Sequence, residues 1–494
     1  MTSIAKYPFL RQDFAASLVV FLVALPLCVG VAVASGVPAE LGLVTGIIGG
    51  IVTGLLPGSS LQVSGPAAGM TVLVFEAVDT YGLPALGVIV LATGLLQLGM
   101  GALKLGRWFR AISLSVVEGM LAGIGLVIIA GQLYAAAGLE APASGVDKII
   151  GLPGAFADML GSTDAMISLA LGAGTVVVMV LWTKLPKQVR TVPGALAAVV
   201  LATLATAAFG LPVATVEVNG LLDSIQPPGL DAFGEFAGIG IFGTIIAFTL
   251  IASAESLFSA AAVDRMHDGP RTEYNKELMA QGAGNTVCGA LGALPMTAVI
   301  VRSSTNVNAG AKTKASRVMH GVWLLLFAAL LPAALALIPL PALAGILVHA
   351  GWKLIPFRQL VPLWQDHRGE ALILVVTAVS IVAVNMFEGV LIGMALSVVK
   401  TAWEASHLKL EIVDKGAGPI QAHLSGNATF LRLPKILESL EALPQDRPVE
   451  LDLSGLHHLD HACRTALRSW AERHSATGTD PVKVTETGRT PAPA

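Results

Sequence analysis

Long apolar stretches with very few charges dominate this chain. Residues 83–103 contain no charged residue, and residues 237–263 contain a single acid. A helix needs roughly 20 such residues to cross a hydrocarbon core of about 30 Å. Charged residues make up 13% of the chain, whereas soluble proteins carry about 25%. The pattern predicts an all-α polytopic membrane protein surrounded by lipid, and it argues against a soluble enzyme.

About fourteen apolar segments follow one another along the chain. Two of them, 64–78 and 297–309, are too short to cross a bilayer on their own. The segments run near 12–34, 40–56, 64–78, 84–103, 111–137, 164–182, 193–209, 237–262, 278–294, 297–309, 318–335, 337–352, 370–386 and 388–404.

The distribution of lysine and arginine supports an even number of segments. Basic residues cluster in the loops on one side, and the alternate loops contain essentially only Lys148. Because cytoplasmic loops are enriched in basic residues, this predicts a multi-pass cell-membrane protein with both termini cytoplasmic. The clustered residues are Lys6, Arg11, Lys104, Arg107, Arg110, Lys184, Lys187, Arg190, Arg265, Arg271, Lys276, Lys312, Lys314, Arg317, Lys353, Arg358 and Arg368.

The composition changes near His407, where charged residues become frequent. GPIQAHLSG and PVELDLSG are typical of short strands, and LPKILESLEAL and ACRTALRSWAERH have helical apolar spacing. We therefore expect a transmembrane domain over 1–405, a small α/β cytoplasmic domain over 406–480 and a disordered tail over 481–494.

The sequence contains no recognisable metal-binding or catalytic motif. The three cysteines Cys28, Cys288 and Cys463 are far apart and form no CxxC pair, which argues against a disulfide framework or a zinc site. HExxH, GxSxG and GxxxxGK[ST] motifs do not occur at a plausible site. We expect no catalytic residue, no metal, no cofactor and no nucleic-acid partner.

The two short segments are the most informative feature for function. They begin SLQVSGPAAGMTVLVF at Ser60 and GALPMTAVIVRSSTNVNAG at Gly292, with Gly and Pro near the first turn and Ser64 and Thr297 near a cap position. Each is third in its half if the chain divides after the seventh segment, as in transporters with inverted repeats. A helix that begins inside the membrane points unpaired N–H groups and a positive dipole end at a cavity, which favours an anion. The alternative is that both are ordinary Pro-kinked or tilted spans.

Two of the ionisable residues within the apolar segments are the strongest candidates for function. Glu255 is about ten residues before a basic loop, and Arg302 lies in the second short segment. Such residues cost roughly 2.5–3.5 kcal/mol each at mid-bilayer, so a functional role is the default hypothesis. Glu255 could carry a coupling proton or coordinate a cation. The alternative is a structural Glu255–Arg302 pair that only sets helix register.

At these residues the chain resembles the sulfate permease (SulP) anion-transporter family, including a bacterial branch associated with carbonic anhydrases. The matching stretches are ALPLCVGVAVASGVPAELGL, GSSLQVSGPAAGMTVLV, ESLFSAAAVDRM and NKELMAQGAGNTVCGALGALPMTAVIVRSSTNVNAGAKTKAS. The cytoplasmic part resembles a shortened STAS domain. The resemblance implies a seven-plus-seven inverted repeat with core and gate domains, elevator-like movement of the core, and a homodimer.

The resemblance also implies which residues form the site. The anion would meet the backbone at the starts of the two short helices, and the first span would close the pocket. The implied substrate-binding residues are Gly65, Pro66, Ala67, Thr297, Ala298, Val299, Arg302, Leu25 and Cys28, and the implied coupling-ion residues are Glu255 and Ser259.

Two departures from the family pattern narrow these expectations. Sodium-coupled members have a hydroxyl residue where this chain has Ile300, so a proton on Glu255 is favoured over sodium. The STAS-like loop reads DHAC where phosphorylated relatives of that domain place a serine. A regulatory or dimer-contact role is therefore favoured over a phosphoswitch.

The expected function is proton-coupled secondary active transport of a small inorganic anion, sulfate or bicarbonate. Backbone dipoles recognise charge and size, so a dicarboxylate symporter of the same fold and an uncoupled anion channel remain alternatives. A nucleobase permease would need a second acid to recognise a heterocycle. Glu255 instead stands with Arg302, which favours an anion.

Overall fold

The computed structural model describes residues 9–107, 113–142, 144–186, 188–189, 192–218, 220–221, 223–228, 239–416, 418–478 and 480–485. Lys6, Arg110, Lys187 and Arg190, which entered the orientation argument, lie outside these residues. The described part of the chain is mostly helical, with a small α/β unit at its end.

Among the described residues, the first half contains eight α-helices, one 3-10 turn and one short strand. These are α1 (Leu10–Ala34), α2 (Ala39–Leu55), β1 (Ser64–Pro66), a 3-10 turn (Ala68–Met70), α3 (Thr71–Tyr81), α4 (Leu83–Ala102), α5 (Leu114–Ala136), α6 (Gly145–Leu160), α7 (Thr163–Trp182) and α8 (Gly194–Phe209).

The second half repeats this order with local additions. It contains α9 (Ile239–Asp264), α10 (Tyr274–Ala290), β2 (Met296–Ala298), α11 (Ile300–Asn308), α12 (Ala315–Leu330), α13 (Pro332–Leu335), α14 (Leu340–Leu354), α15 (Phe357–Asp366), α16 (Arg368–Ala383) and α17 (Met386–Ala405). Each of the fourteen predicted segments therefore contains a helix. The helices α6 and α15 were not predicted, and α13 lies at the end of the predicted segment 318–335.

Seven of the described helices are long and apolar enough to cross a membrane, judged by length and composition. They are α1, α4, α5, α7, α9, α14 continued through α15, and α17. Three shorter apolar helices, α2, α8 and α12, have 16 or 17 residues. A multi-pass membrane fold accounts for all of them.

The helix contacts follow the expected two-fold repeat. When the helices α1, α2, α3, α4, α5, α7 and α8 are matched in order with α9, α10, α11, α12, α14, α16 and α17, contacts in one half recur in the other. The α2–α12 contact matches α10–α4, α1–α12 matches α9–α4, and α5–α16 matches α14–α7. The α5–α14 contact is its own counterpart, because the repeat exchanges these two helices.

These contacts also divide the helices into two sets. The core set comprises α1–α4 and α9–α12, and the gate set comprises α5–α8, α14 and α16. Glycines bring core helices into close contact: a Cβ at Gly94 would lie 2.7 Å from the Gly282 carbonyl oxygen, and one at Gly50 would lie 2.6 Å from the Gly321 Cα. Small residues at such crossings allow helices to pack where lipid supplies no hydrophobic drive.

Residues 395–494 form a separate compact unit. Its four-stranded sheet has the order β3 (Leu408–Val413), β4 (Ile420–Ala428), β5 (Val449–Leu459) and β6 (Lys483–Thr485), with β3–β4 antiparallel and the other pairs parallel. Helices α18 (Leu433–Glu441) and α19 (His461–Thr477) complete its apolar core. This small α/β fold fits the STAS-like expectation.

The unit corrects the predicted end of the cytoplasmic domain. Strand β6 pairs with β5 from Lys483 to Thr485, so residues 483–485 belong to the sheet and not to a disordered tail. The strand was missed because it is only three residues long and flanked by polar residues. Residues 486–494 of the predicted tail lie outside the described residues, and the compact unit begins inside α17, before the predicted boundary at 405.

Asp460 fixes the DHAC loop, where phosphorylated relatives of the STAS domain have a serine. It caps α19 by accepting from the Cys463 N–H at 2.7 Å, and its other oxygen accepts from the Phe430 N–H at 2.6 Å. Burial, with the neighbouring Asp460 carboxylate, raises the pKa of the Cys463 thiol to about 12. The loop is thus a helix cap over an inert buried thiol.

Candidate functional site

Two short strands meet at the centre of the core set. Strands β1 and β2 pair antiparallel, with Gly65 opposite Thr297 at the middle of the register. Each strand leads into a short helix, α3 or α11. Extended backbone inside a membrane protein needs internal hydrogen-bond partners, and the pairing supplies them.

The two helices start later than the sequence predicts. Ser64 and Thr297 lie in the strands and not at caps, because α3 begins at Thr71 and α11 at Ile300. Neither helix has a side-chain cap. Each first turn therefore leaves backbone N–H groups without side-chain partners.

Asn285 on α10 holds the second strand from one side. Its Oδ1 accepts from the Met296 N–H at 2.7 Å, and its Nδ2 donates to the Met296 carbonyl at 3.1 Å. Gln97 on α4 accepts from the same Nδ2 at 2.8 Å and fixes the amide orientation. Ser256 on α9 accepts from the Ala298 N–H at 3.2 Å, so polar side chains from three helices position β2.

The first strand is held in a similar way. The Ser303 hydroxyl on α11 accepts from the Val63 N–H at 2.9 Å, and Gln281 on α10 donates to the Ser64 hydroxyl at 2.7 Å. Gln281 also donates to Glu277 at 2.7 Å, and the other Glu277 oxygen accepts from the Ser59 N–H at 2.7 Å. The segment before β1 is thereby anchored to α10.

Arg317 on α12 completes this anchor. The guanidinium is buried and donates to the carbonyls of Ser59 at 2.6 Å, Gln62 at 3.2 Å and Thr53. Glu277 is the opposite charge that faces it. Three carbonyls accept from both Nη atoms and a carboxylate faces the cation, while Nε alone has no partner in the protein. Arg317 therefore serves the structure of the segment leading to β1.

Arg302 on α11 has a different environment. Its side chain is fully buried, and Nη2 donates to the Pro66 carbonyl at 3.2 Å. The Nε and Nη1 atoms have no partner in the protein. A buried cation with unused donors is costly unless a ligand accepts from them.

Glycine at position 65 makes room for this guanidinium. A Cβ on Gly65 would collide with the Arg302 Nη1 and lie 3.2 Å from its Cζ. The guanidinium is therefore packed directly against the backbone of β1. No larger residue fits there unless Arg302 moves.

Glu255 on α9 occupies the other side of the same backbone. A Cβ on Gly69 would collide with the Glu255 Oε1 and lie 2.8 Å from its Cδ. The Thr297 hydroxyl lies beside the carboxylate, and Oε2 has no partner in the protein. Because Glu255 and Arg302 both retain unpaired atoms, the structure does not show the structural pair considered as an alternative.

A cavity of about 90 Å³ joins these groups. One water molecule needs roughly 10–15 Å³ of such space, so a small anion fits. The cavity is lined by Leu27, Val31, Pro66, Ala67, Ala68, Gly69, Val117, Met120, Leu121, Glu255, Phe258, Ser259, Val299, Ile300, Val301, Arg302, Ala350 and Leu354.

Most of the predicted site residues meet at this cavity, and the others lie just behind it. Residues lining it are Pro66, Ala67, Val299, Arg302, Glu255 and Ser259. Behind it lie Gly65, Thr297 and Ala298 in the paired strands, Cys28 beside the Arg302 guanidinium, and Leu25 in a neighbouring apolar cluster. Leu27 and Val31, and not Leu25 and Cys28, bring α1 to the cavity wall.

The supporting residues on α10 were missed from the sequence. Glu277, Gln281 and Asn285 recur every four residues and so share one helix face. A polar row of this kind in a membrane helix indicates a buried hydrogen-bonded contact. This spacing is the signal that could have identified them.

Comparison with known proteins identifies the family of this chain. The model of the Sulfate permease family matches residues 10–377. The Bacillus subtilis (strain 168) protein named "Putative sulfate transporter YvdB" is 30% identical over 399 residues, covering 79% of this chain and 73% of that protein. The bicarbonate transporter BicA of Picosynechococcus is 26% identical over 423 residues, covering 82% and 72%.

Solved structures show the same fold. The overall structure of SLC26A9 aligns with a TM-score of 0.77 at 15% identity and covers 98% of this chain and 85% of that one. The matched relatives are named as transporters and not as enzymes. From its family match, its relatives and its fold, the chain belongs to the sulfate permease family of membrane anion transporters.

Proposed function

We propose that this chain is a secondary active transporter that moves sulfate or bicarbonate across the cell membrane, driven by protons, through elevator-type movement. The observation that carries the proposal is the buried Arg302 guanidinium, which lines the cavity with two donor nitrogens unused. An anion placed there would accept from these donors and from N–H groups of the 3-10 turn before α3 and the first turn of α11.

The size of the cavity favours an inorganic anion. Its volume of about 90 Å³ suits a small ion, and the remaining wall is largely apolar. A dicarboxylate would need a second cation, and Arg302 is the only Lys or Arg among the described lining residues. Relatives named for sulfate and for bicarbonate both match this chain, so both anions belong in the test.

Glu255 is the proposed proton carrier. Its carboxylate lines the cavity with one oxygen unpartnered, so a proton has a place to bind. Sodium would need several oxygen ligands. Ile300 presents an apolar side chain to the cavity, and the Ser259 hydroxyl already donates to the Ala298 carbonyl at 3.0 Å.

The distribution of polarity supports movement of the core set along the gate set. Arg302, Glu255 and both strands belong to the core set. The gate set contributes only apolar residues to the cavity, namely Val117, Met120, Leu121, Ala350 and Leu354. A polar site facing a smooth apolar wall can slide without breaking hydrogen bonds to that wall. We also propose cytoplasmic termini, from the basic loops, and a homodimer, from the family resemblance.

Uptake into proteoliposomes tests the function. Purified protein is offered labelled sulfate, bicarbonate or fumarate under an imposed proton gradient, sodium gradient or no gradient. We expect one inorganic anion to accumulate with the proton gradient. Absence of flux of every anion, or flux with no exchange component, would overturn the carrier mechanism.

The variant Glu255→Gln tests the coupling separately. Glutamine keeps the size and one hydrogen-bonding oxygen of the side chain, but its amide does not take up or release a proton. We expect loss of proton-driven accumulation with retained anion exchange. Proton-driven accumulation at the parent rate would exclude Glu255 as the carrier.

A further inference from the structure

A second cavity lies between the same two helix sets. It measures about 450 Å³ and is lined by residues of α1, α3, α5 and α6. Along α1, Val31 lines the first cavity and Ala34 the second, and along α5 the same holds for Met120 and Ile128. The second cavity is therefore further along the same cleft between the core and gate sets, towards the ends of α1 and α5.

An apolar layer separates the two cavities. Met70, just before α3, and Ile124 on α5 are each only 1% exposed and belong to one buried cluster. Ile124 lies between the α5 residues that line the two cavities. In this state the cleft is closed between them.

Lys148 connects the two helix sets inside the second cavity. It lies on α6 of the gate set and is 6% exposed. Its ammonium lies 5.1 Å from the ring centroid of Phe75 on α3, and Glu76 on α3 is the opposite charge that faces it. The Tyr134 hydroxyl donates to the Lys148 carbonyl at 2.9 Å and fixes this part of α6. Helix α3 is the continuation of the strand that holds Arg302.

The charges of this cavity do not suit a second anion site. Asp79 and Glu140 are exposed at its lining, and Glu76 already opposes Lys148. The acidic groups at and near this lining therefore outnumber the single ammonium. The cation serves a contact between helices.

We propose that Lys148 is a latch that holds α3 against α6 and keeps this end of the cleft closed, an inference that rests on the proposed movement of the core set. When the core set moves, the ammonium must leave the Phe75 ring and Glu76. A partly desolvated cation–π contact, with the opposite charge of Glu76 facing the ammonium, biases the two states towards the closed one. Removing it shifts the population towards the state in which the second cavity is open.

Cysteine accessibility tests the latch without requiring transport. Gln132, buried in the second cavity, is replaced by Cys, and the rate of labelling by a membrane-impermeant thiol reagent is measured in proteoliposomes without added anion. The parent chain, whose described cysteines are buried, gives the background. We expect Lys148→Met to raise the labelling rate about fivefold or more, and Lys148→Arg to leave it near the reference.

Two further variants make the outcome decisive. Glu76→Gln removes the opposite charge and should also raise the labelling rate. This variant tests the latch if Lys148→Met does not fold. Asp147→Asn, an exposed neighbour on α6, should change nothing. Unchanged or slower labelling in a folded Lys148→Met or Glu76→Gln protein overturns the latch. Because labelling needs no flux, this result stands apart from the success or failure of the uptake experiment.

Discussion

Replacing Gly65 by alanine probes the contact between β1 and Arg302. The added Cβ would collide with Nη1 and lie 3.2 Å from Cζ, whereas non-bonded carbon atoms prefer about 3.5–4.0 Å. The guanidinium must therefore withdraw, and its 3.2 Å bond to the Pro66 carbonyl is lost or lengthened. The displaced guanidinium also takes its free donors away from the anion, and one hydrogen bond from a charged donor contributes about 1.5–3 kcal/mol, so anion affinity should fall roughly 10- to 100-fold.

The measurement is the apparent affinity for the transported anion, from concentration-dependent uptake or isothermal titration. Gly99→Ala is the matched control, because a Cβ there has no neighbour within 4 Å. When Arg302 is already replaced by alanine, adding Gly65→Ala should lower the anion affinity little further, since both changes act through one guanidinium. Parent-like affinity in Gly65→Ala, or an equal loss in both backgrounds, would refute the reasoning.

Three other changes test neighbouring parts of the molecule. Gly69→Ala places a methyl group against the Glu255 carboxylate, so proton-driven accumulation should fall more than anion exchange; equal loss of both would contradict this separation. Asn285→Ala removes both hydrogen bonds from this side chain to β2. It should lower the free energy of unfolding by about 2 kcal/mol or more and raise the KM. An unchanged KM in folded protein would show that β2 stays in position without Asn285. Asp460→Ala removes the cap of α19 and should cost about 1 kcal/mol, seen as faster hydrogen exchange in that helix; unchanged exchange there would count against it.

Apolar length and basic loops were sufficient to predict the membrane part of the fold. The fourteen segments follow from two strong physical terms, the hydrophobic span and the sidedness of lysine and arginine. The amphipathic helix α6 was missed because its apolar face is too narrow for a span and its interior contains Pro153. Short strands such as β6 were missed because three residues carry no periodic signal.

The site was predictable in its parts but not in its contacts. Gly, Pro and an intramembrane arginine mark a broken helix, and the family resemblance implied that Pro66, Ala67 and Arg302 meet the anion; all three line the cavity. Which residues of α1 face it depends on helix rotation, and a shift of two positions exchanged Leu25 for Leu27. Antiparallel pairing of β1 with β2 depends on tertiary register, which local sequence does not encode.

The pairing of β1 with β2 has a consequence for biosynthesis. The two strands come from opposite halves of the chain, and each satisfies backbone groups of the other. During synthesis, β1 is made long before β2, so its backbone groups stay unpaired while seven further segments are inserted. The first half therefore depends on surrounding protein or the insertion machinery to shelter an unpaired strand, and separately expressed halves should become competent only when they are produced together.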